Sequence, residues 1–305
     1  MPDAPKTMGL PEWALLILLS VLWGSAFFFA GITVKEIPPF IVVFARIFLA
    51  ALFLLPFFWF YGHKLPITVK EWMPFFIMGV LNNAVPFCFQ FVSQTIITVG
   101  LISIINAMTP LFTLIIVASF GEEKMTRNRI FGVVIGFLGV VVLRGIGEPV
   151  DSLQTLGIGL GLAGALSFGF AALWGRRHLQ GVAPLKSATC QLICSSAIML
   201  FVVCIFENPS SLNAPSLKAW LALMGLTVFG TACSYLVFFR LLAQAGATNV
   251  QLVTLLIPIT ALFLGNMFLH EVIQLKEIVG ALIIGIGLLF IDGRVPNAIA
   301  RRLSV

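Results

Sequence analysis

Ten long apolar runs, parted only by short polar or Gly/Pro-bearing connections, decide what this chain can fold into. They cover roughly 13–33, 39–61, 72–93, 97–120, 129–146, 154–175, 184–206, 218–240, 248–269 and 275–292. A helix that crosses a bilayer needs about 20 apolar residues, so ten such runs leave little of the 305 residues for loops and tails. The runs are continuous rather than alternating, which favours helices over the strands of a barrel. Hydrophobic residues make up 60% and charged residues 10% of the chain. A soluble domain holds about 45–50% and about 25%, and disorder needs the opposite balance. The expectation is an all-α membrane protein: one transmembrane domain over 1–305, with the lipid bilayer as its solvent.

The net charge of +6 comes from 18 Lys and Arg against 12 Asp and Glu. The basic residues sit in the connections, where they set membrane orientation rather than bind nucleic acid. With ten spans, Lys35, Arg144, Lys218 and Lys276 fall on one side and Arg46 lies inside the second run. The remaining Lys and Arg, from Lys6 through Lys124, Arg129 and Arg176 to Arg302, fall on the other side. That bias places both termini in the cytoplasm. No cleavage site follows the first run, which reads as a retained anchor. The five cysteines (Cys88, Cys190, Cys194, Cys204, Cys233) all lie in apolar runs without CxxC or Cys/His clustering, so neither a disulfide framework, a metal nor a cofactor is expected.

The chain also repeats itself. A shift of 148 superposes Trp72 on Trp220, Pro110 on Pro258, Glu123 on Glu271, Gly132 on Gly280 and Gly139 on Gly287; a shift of 145 brings Gly24 to Gly169, Pro39 to Pro184 and Arg46 to Gln191. Two halves, about 13–146 and 154–292, each hold five spans. Five is odd, so the second half enters from the opposite face. That is the inverted repeat of many secondary transporters, whose substrate sits near the midplane between the halves.

Candidate chemistry is sparse. Gly159-Leu-Gly161-Leu-Ala-Gly164 spells GxGxxG but lies in an apolar run with no preceding strand, so it reads as helix packing. The same holds for the Gly132/Gly136 and Gly157/Gly161 spacings. Every Asp, Glu and His sits at a run end or in a loop. An intramembrane enzyme would need such groups at depth, and so would a proton-coupled carrier. Glu123 and Glu271 read as helix-start acids or gates, Pro110 and Pro258 as helix bends, and Arg46 as a structural charge that snorkels or pairs. The mid-depth polar set carries the site: Asn82, Asn83 and Asn106 first, because an amide cannot satisfy itself against its own helix. Ser167, Thr231 and Thr254 join them, with Trp23 and Tyr235 as aromatic walls.

Leu22-Trp23-Gly24-Ser25, Pro38-Pro39 with Arg46 and Ala50-Ala51, Trp72 with Gly79, Pro110-Leu111-Phe112, Gly121-Glu122-Glu123 and the Gly132/Gly139 pair occur in order in the first half. Ala165-Leu166-Ser167, Ser234-Tyr235, Pro258, Glu271 and Gly280 answer them in the second. This pattern resembles the EamA type of the drug/metabolite transporter superfamily over about 13–292. The resemblance implies a ten-helix transporter of the bacterial inner membrane that exports amino acids and related metabolites. Together with a pocket of amides, hydroxyls and aromatic walls without fixed charge, it leads to the expectation of a monomeric carrier. Its small-molecule substrate would be neutral or zwitterionic, amino acids foremost, aromatic or hydrophobic ones included, moved by alternating access without strict ion coupling. A proton-coupled antiporter, a sugar-phosphate-type exchanger and a channel are the alternatives.

Overall fold

A computed structural model describes residues 8–145, 151–207, 214–250 and 252–292. Lys6, Arg294, Arg301 and Arg302 of the charge count, and the end of the fifth run at 146, lie outside them. Among the described residues every regular element is a helix: α1 (Leu10–Thr33), α2 (Pro39–Phe60), α3 (Val69–Gln94), α4 (Val99–Asn106 and Thr109–Ser119), α5 (Arg127–Arg144), α6 (Ser152–His178), α7 (Pro184–Phe206), α8 (Leu217–Thr227, Val228–Cys233 and Ser234–Ala245), α9 (Ala247–Val250 and Val253–Leu269) and α10 (Leu275–Asp292). Seven are long and apolar enough to cross a membrane: α1, α2, α3, α4, α6, α7 and the 217–238 stretch of α8. The helices α5 and α10 are 18 residues each; both carry three charged residues, at or near their ends. The longer piece of α9 has 17 residues.

Local chemistry sets the helix ends. The hydroxyls of Thr68, Thr98, Thr126 and Ser216 accept from the backbone N–H three residues on, and the Asp151 carboxylate accepts from Leu153 and Gln154, so each satisfies first-turn donors that lipid could not. Pro39 and Pro184 start α2 and α7, where a missing N–H costs nothing. Gly62 and Gly121, just past α2 and α4, take φ of 72° and 77°, a left-handed turn that a β-carbon would strain.

Side-chain ladders record the relative directions of the packed helices. Ser93, Leu81 and Pro74 of α3 meet Gly157, Ser167 and Trp174 of α6 in antiparallel order. Phe29 and Ala26 of α1 meet Gly225 and Gly230 of α8 in the same sense, and α4 runs beside α6 as α9 runs beside α1. The helices α5 and α10 form an antiparallel pair, and α2 lies against α7. Glycines set this closeness. A β-carbon at Gly132 would lie 2.5 Å from the Gly287 carbonyl oxygen, and one at Gly139 would lie 2.6 Å from Ile284 Cγ1. The GxGxxG run also packs: Gly161 faces Ile102 and Ile105, Gly164 faces the Pro86 carbonyl, and Gly159 faces open space. Large apolar side chains such as Trp59, Phe60, Phe131, Phe201, Phe206 and Phe263 stand exposed on the outer surface, which only a lipid solvent makes favourable.

Replacing Gly139 with leucine will therefore lower the melting temperature of the detergent-solubilised protein, at a cost of about 1–3 kcal/mol from overpacking. Gly159→Leu will leave it unchanged, because nothing lies within 4 Å of its β-carbon direction. Equal melting of both variants would contradict the α5–α10 contact.

The apolar pattern did not reveal three departures from regular helix. Residues Val80–Ala84 of α3 and Val228–Cys233 of α8 are π-helical, and the two stretches start 148 residues apart. In α3 the widened turn leads into Pro86, whose ring would clash with a regular preceding turn. The two prolines read as paired bends act differently. In α4 the helix breaks at Ala107–Met108, and Pro110 opens the next piece. In α9 Pro258 lies inside the piece Val253–Leu269.

Candidate functional site

Eight of these helices surround a cavity of about 540 Å³, a size common for small-molecule sites. Trp23, Ala26, Phe27 and Ala30 form its α1 wall, at the spacing of one helix face. Asn82, Gln90 and Gln94 of α3 run down the cavity at four- and eight-residue intervals, with Phe87 and Phe91 between them. Asn106 and Thr109 flank the break in α4, and α9 adds Thr254. The widened turn of α8 presents Gly230 and Thr231, and the piece after it Ser234 and Tyr235; Phe168 of α6 and Gln191 of α7 are also in the wall.

The polar groups pair across helices. Gln90 donates from Nε2 to Asn106 Oδ1 at 2.8 Å, and Asn82 donates from Nδ2 to Gln191 Oε1 at 3.1 Å. Gln94 Oε1 and Thr109 Oγ1 are buried without a partner. Trp23 and Phe238 approach at 5.6 Å between ring centres. Among the described residues lining the cavity there is no Asp, Glu or His.

Of the residues expected to contact substrate, Trp23, Asn82, Asn106, Thr231, Tyr235 and Thr254 line the cavity, while Asn83 and Ser167 do not. Asn83 is 0% exposed and donates to Ser195 Oγ on α7 at 3.3 Å. Ser167 donates to the Leu81 carbonyl at 2.7 Å and ties α6 to the π turn of α3. Asn82 and Asn83 thus take different partners on α7, Gln191 at the cavity wall and Ser195 outside it. Gln90, Gln94 and Gln191 were not among the expected site residues, although the stripe Asn82, Gln90, Gln94 is visible in the sequence as a polar face within an apolar run.

Arg46 corrects the expectation of a pocket without fixed charge. It does not snorkel: it is 8% exposed and lines the cavity. Its Nε donates to Thr231 Oγ1 at 2.8 Å, its Nη2 reaches the Gly230 carbonyl at 3.4 Å, and its Cζ stands 4.1 Å from the centre of the Phe87 ring. The helix that holds its partners is the one whose π turn exposes them.

A second pocket of about 340 Å³ shares Pro110, Thr113, Ala172 and Thr254 with the cavity and extends to Glu123, Arg129 and Arg176. Glu123 pairs with Arg176 at 2.8 Å and Arg129 at 3.2 Å, and Glu122 pairs with Arg177. The cavity also reaches Leu179, Val182, Pro184 and Ser187, at the same end of the bundle. The opposite end is closed. There Thr33, Ile37, Ile97 and Val99 are buried, and the Glu271 carboxylate accepts from the N–H groups of Val99 and Gly100 at 2.9 and 3.3 Å. Glu271 thus caps a helix of the other half, not its own. Nearby, Glu36 accepts from the N–H and hydroxyl of Ser216, which holds its carboxyl below the usual range.

The chain is 27% identical over 282 residues to an uncharacterised transporter of Archaeoglobus fulgidus, covering 91% of this chain and 97% of that one. It is 28% identical over 261 residues to the uncharacterised inner membrane transporter YedA of Escherichia coli K12, covering 84% and 82%. A crystal structure of a protein 16% identical superposes with a TM-score of 0.64 over 93% of this chain and 98% of the other, which shows a shared fold. The profile of the EamA-like transporter family matches twice, at 11–145 and 155–292. With a bundle of lipid-facing helices around one central cavity, the chain belongs to that family of the drug/metabolite transporter superfamily: it is a multi-pass membrane transporter of a small molecule.

Proposed function

We propose that this transporter carries small neutral or zwitterionic metabolites, amino acids foremost, outward across a bacterial cytoplasmic membrane by alternating access. Ten helices cross the bilayer as two inverted five-helix repeats, about 13–146 and 154–292, and both termini are cytoplasmic. The observation that carries this reading is a cavity walled by both halves, reaching the basic end of the bundle and sealed at the other. Support for the repeat comes from the family profile matching each half, the two π turns 148 residues apart, and the matching contacts of α1 with α8 and α6 with α3. The basic residues at the open end make it the cytoplasmic one. Aromatic walls with a few amide and hydroxyl groups suit an amino acid with an apolar side chain. One guanidinium is too little positive charge for a sugar phosphate.

Transport needs no ion gradient on this reading, because no carboxylate or histidine lines the central cavity among the described residues. A coupling group must sit near the substrate and change its proton occupancy with the facing state. In proteoliposomes, L-phenylalanine will equilibrate saturably and show counterflow with no imposed gradient. Accumulation driven by a pH step would overturn the uncoupled reading and direct attention to Glu123. Flux that never saturates would mark a channel.

A further inference from the structure

We propose that Arg46 is the docking group for one carboxylate, which narrows the substrate to amino-acid zwitterions and monocarboxylates; the assignment rests on the reading that the central cavity is the transport site. Arg46 is held in place before any ligand arrives. Thr231 and Gly230 engage Nε and Nη2, and Phe87 covers one face of the guanidinium, with Phe91 at 5.8 Å. Two of its five N–H donors are engaged in this way.

Nothing acidic in the cavity balances this charge: the lining residues described include no Asp or Glu. Glu123 and Glu271 are committed at the two ends, to arginines and to backbone N–H groups. An unpaired cation in an apolar-walled cavity is costly, and a ring face offsets only part of that cost. A carboxylate would complete the site with charge-assisted bonds to the planar fork. One arginine matches one carboxylate, so a dianion would carry an unmatched charge.

The rest of the cavity suits the remainder of a zwitterion. Gln94 Oε1 and Thr109 Oγ1 are buried acceptors without a donor, as an ammonium group requires. Trp23, Phe27, Phe168 and Phe238 offer an apolar seat for a side chain.

The test uses the full chain in nanodiscs and two probes that differ at one group, L-phenylalanine and L-phenylalaninamide. The acid will bind at least about 10-fold more tightly than the amide, as loss of a charge-assisted contact predicts. Arg46→Gln will abolish that preference, and Arg46→Lys will keep part of it, since a point charge lacks the fork. A merely structural arginine would weaken both probes together and leave their ratio unchanged.

Should Arg46→Gln fail to fold, the wild-type protein answers by another route. Phenylglyoxal will modify Arg46, read by peptide mass spectrometry, and 3-phenylpropionate but not 3-phenylpropanamide will protect it. Equal binding of acid and amide, an acid preference that survives in Arg46→Gln, or equal protection would overturn the assignment. The transport reading fails separately: an acid-selective site without saturable flux in proteoliposomes would sink the carrier and leave the carboxylate site standing.

Discussion

Asn106→Ala will weaken the apparent affinity for transported substrate by about 5- to 150-fold, the equivalent of roughly 1–3 kcal/mol for a buried amide contact. Asn106 sits where α4 breaks, and its side-chain oxygen accepts from Gln90. Truncation removes one cavity group and strands the Gln90 amide, 4% exposed, without its partner. Asn82→Ala will act in the same sense through Gln191. Asn83→Ala provides the contrast. Asn83 faces Ser195 outside the cavity wall, so its loss will lower the melting temperature and leave the apparent affinity of the folded protein near wild type. Concentration dependence of counterflow, measured beside thermal unfolding for the three variants, checks the set. An affinity loss confined to Asn83→Ala would refute the placement of the site.

Glu271→Ala will open the sealed end. Two hydrogen bonds from the Glu271 carboxylate to the backbone of Val99 and Gly100 tie α9 to the start of α4, and charge-assisted bonds of this kind contribute about 1.5–3 kcal/mol each. Losing one such bond's worth from the closed state shifts the facing equilibrium by about 10- to 150-fold. A cysteine placed at position 94 in a chain freed of its five native cysteines, labelled from outside with an impermeant maleimide, will report the change as faster labelling. Glu123→Ala at the other end will do far less, because its pairs with Arg129 and Arg176 are partly exposed and such pairs contribute about 0–1 kcal/mol. Labelling at position 94 that ignores Glu271→Ala would remove the latch.

The Glu271 cap shows where sequence reasoning stopped. Its spacing from α10 suggested a helix-start acid, and it does cap N–H groups, but those belong to α4, 171 and 172 residues away. Arg46 shows the same limit. One charge inside an apolar run is legible as costly, yet whether it snorkels to the interface or turns inward depends on what lies opposite. A π turn in α8, invisible in the hydropathy pattern, supplies the acceptors that turn it inward.

Sequence by itself determined the solvent, the helices and the family. Runs of about 20 apolar residues leave the backbone no partners but its own in lipid, so helix follows from composition and length. The paired glycines determined close packing, because a missing β-carbon is a local property that acts on any helix brought alongside. Tertiary structure alone decided the site. Asn82 and Asn83 adjoin in sequence, yet the packing of α3 on α7 and α6 gives one to Gln191 at the cavity wall and the other to Ser195 outside it. Two π-helical stretches and the break in α4 rotate the faces that follow them. Which polar groups converge is set by the sum of those rotations across eight helices, a long-range quantity that no stretch of this chain encodes on its own.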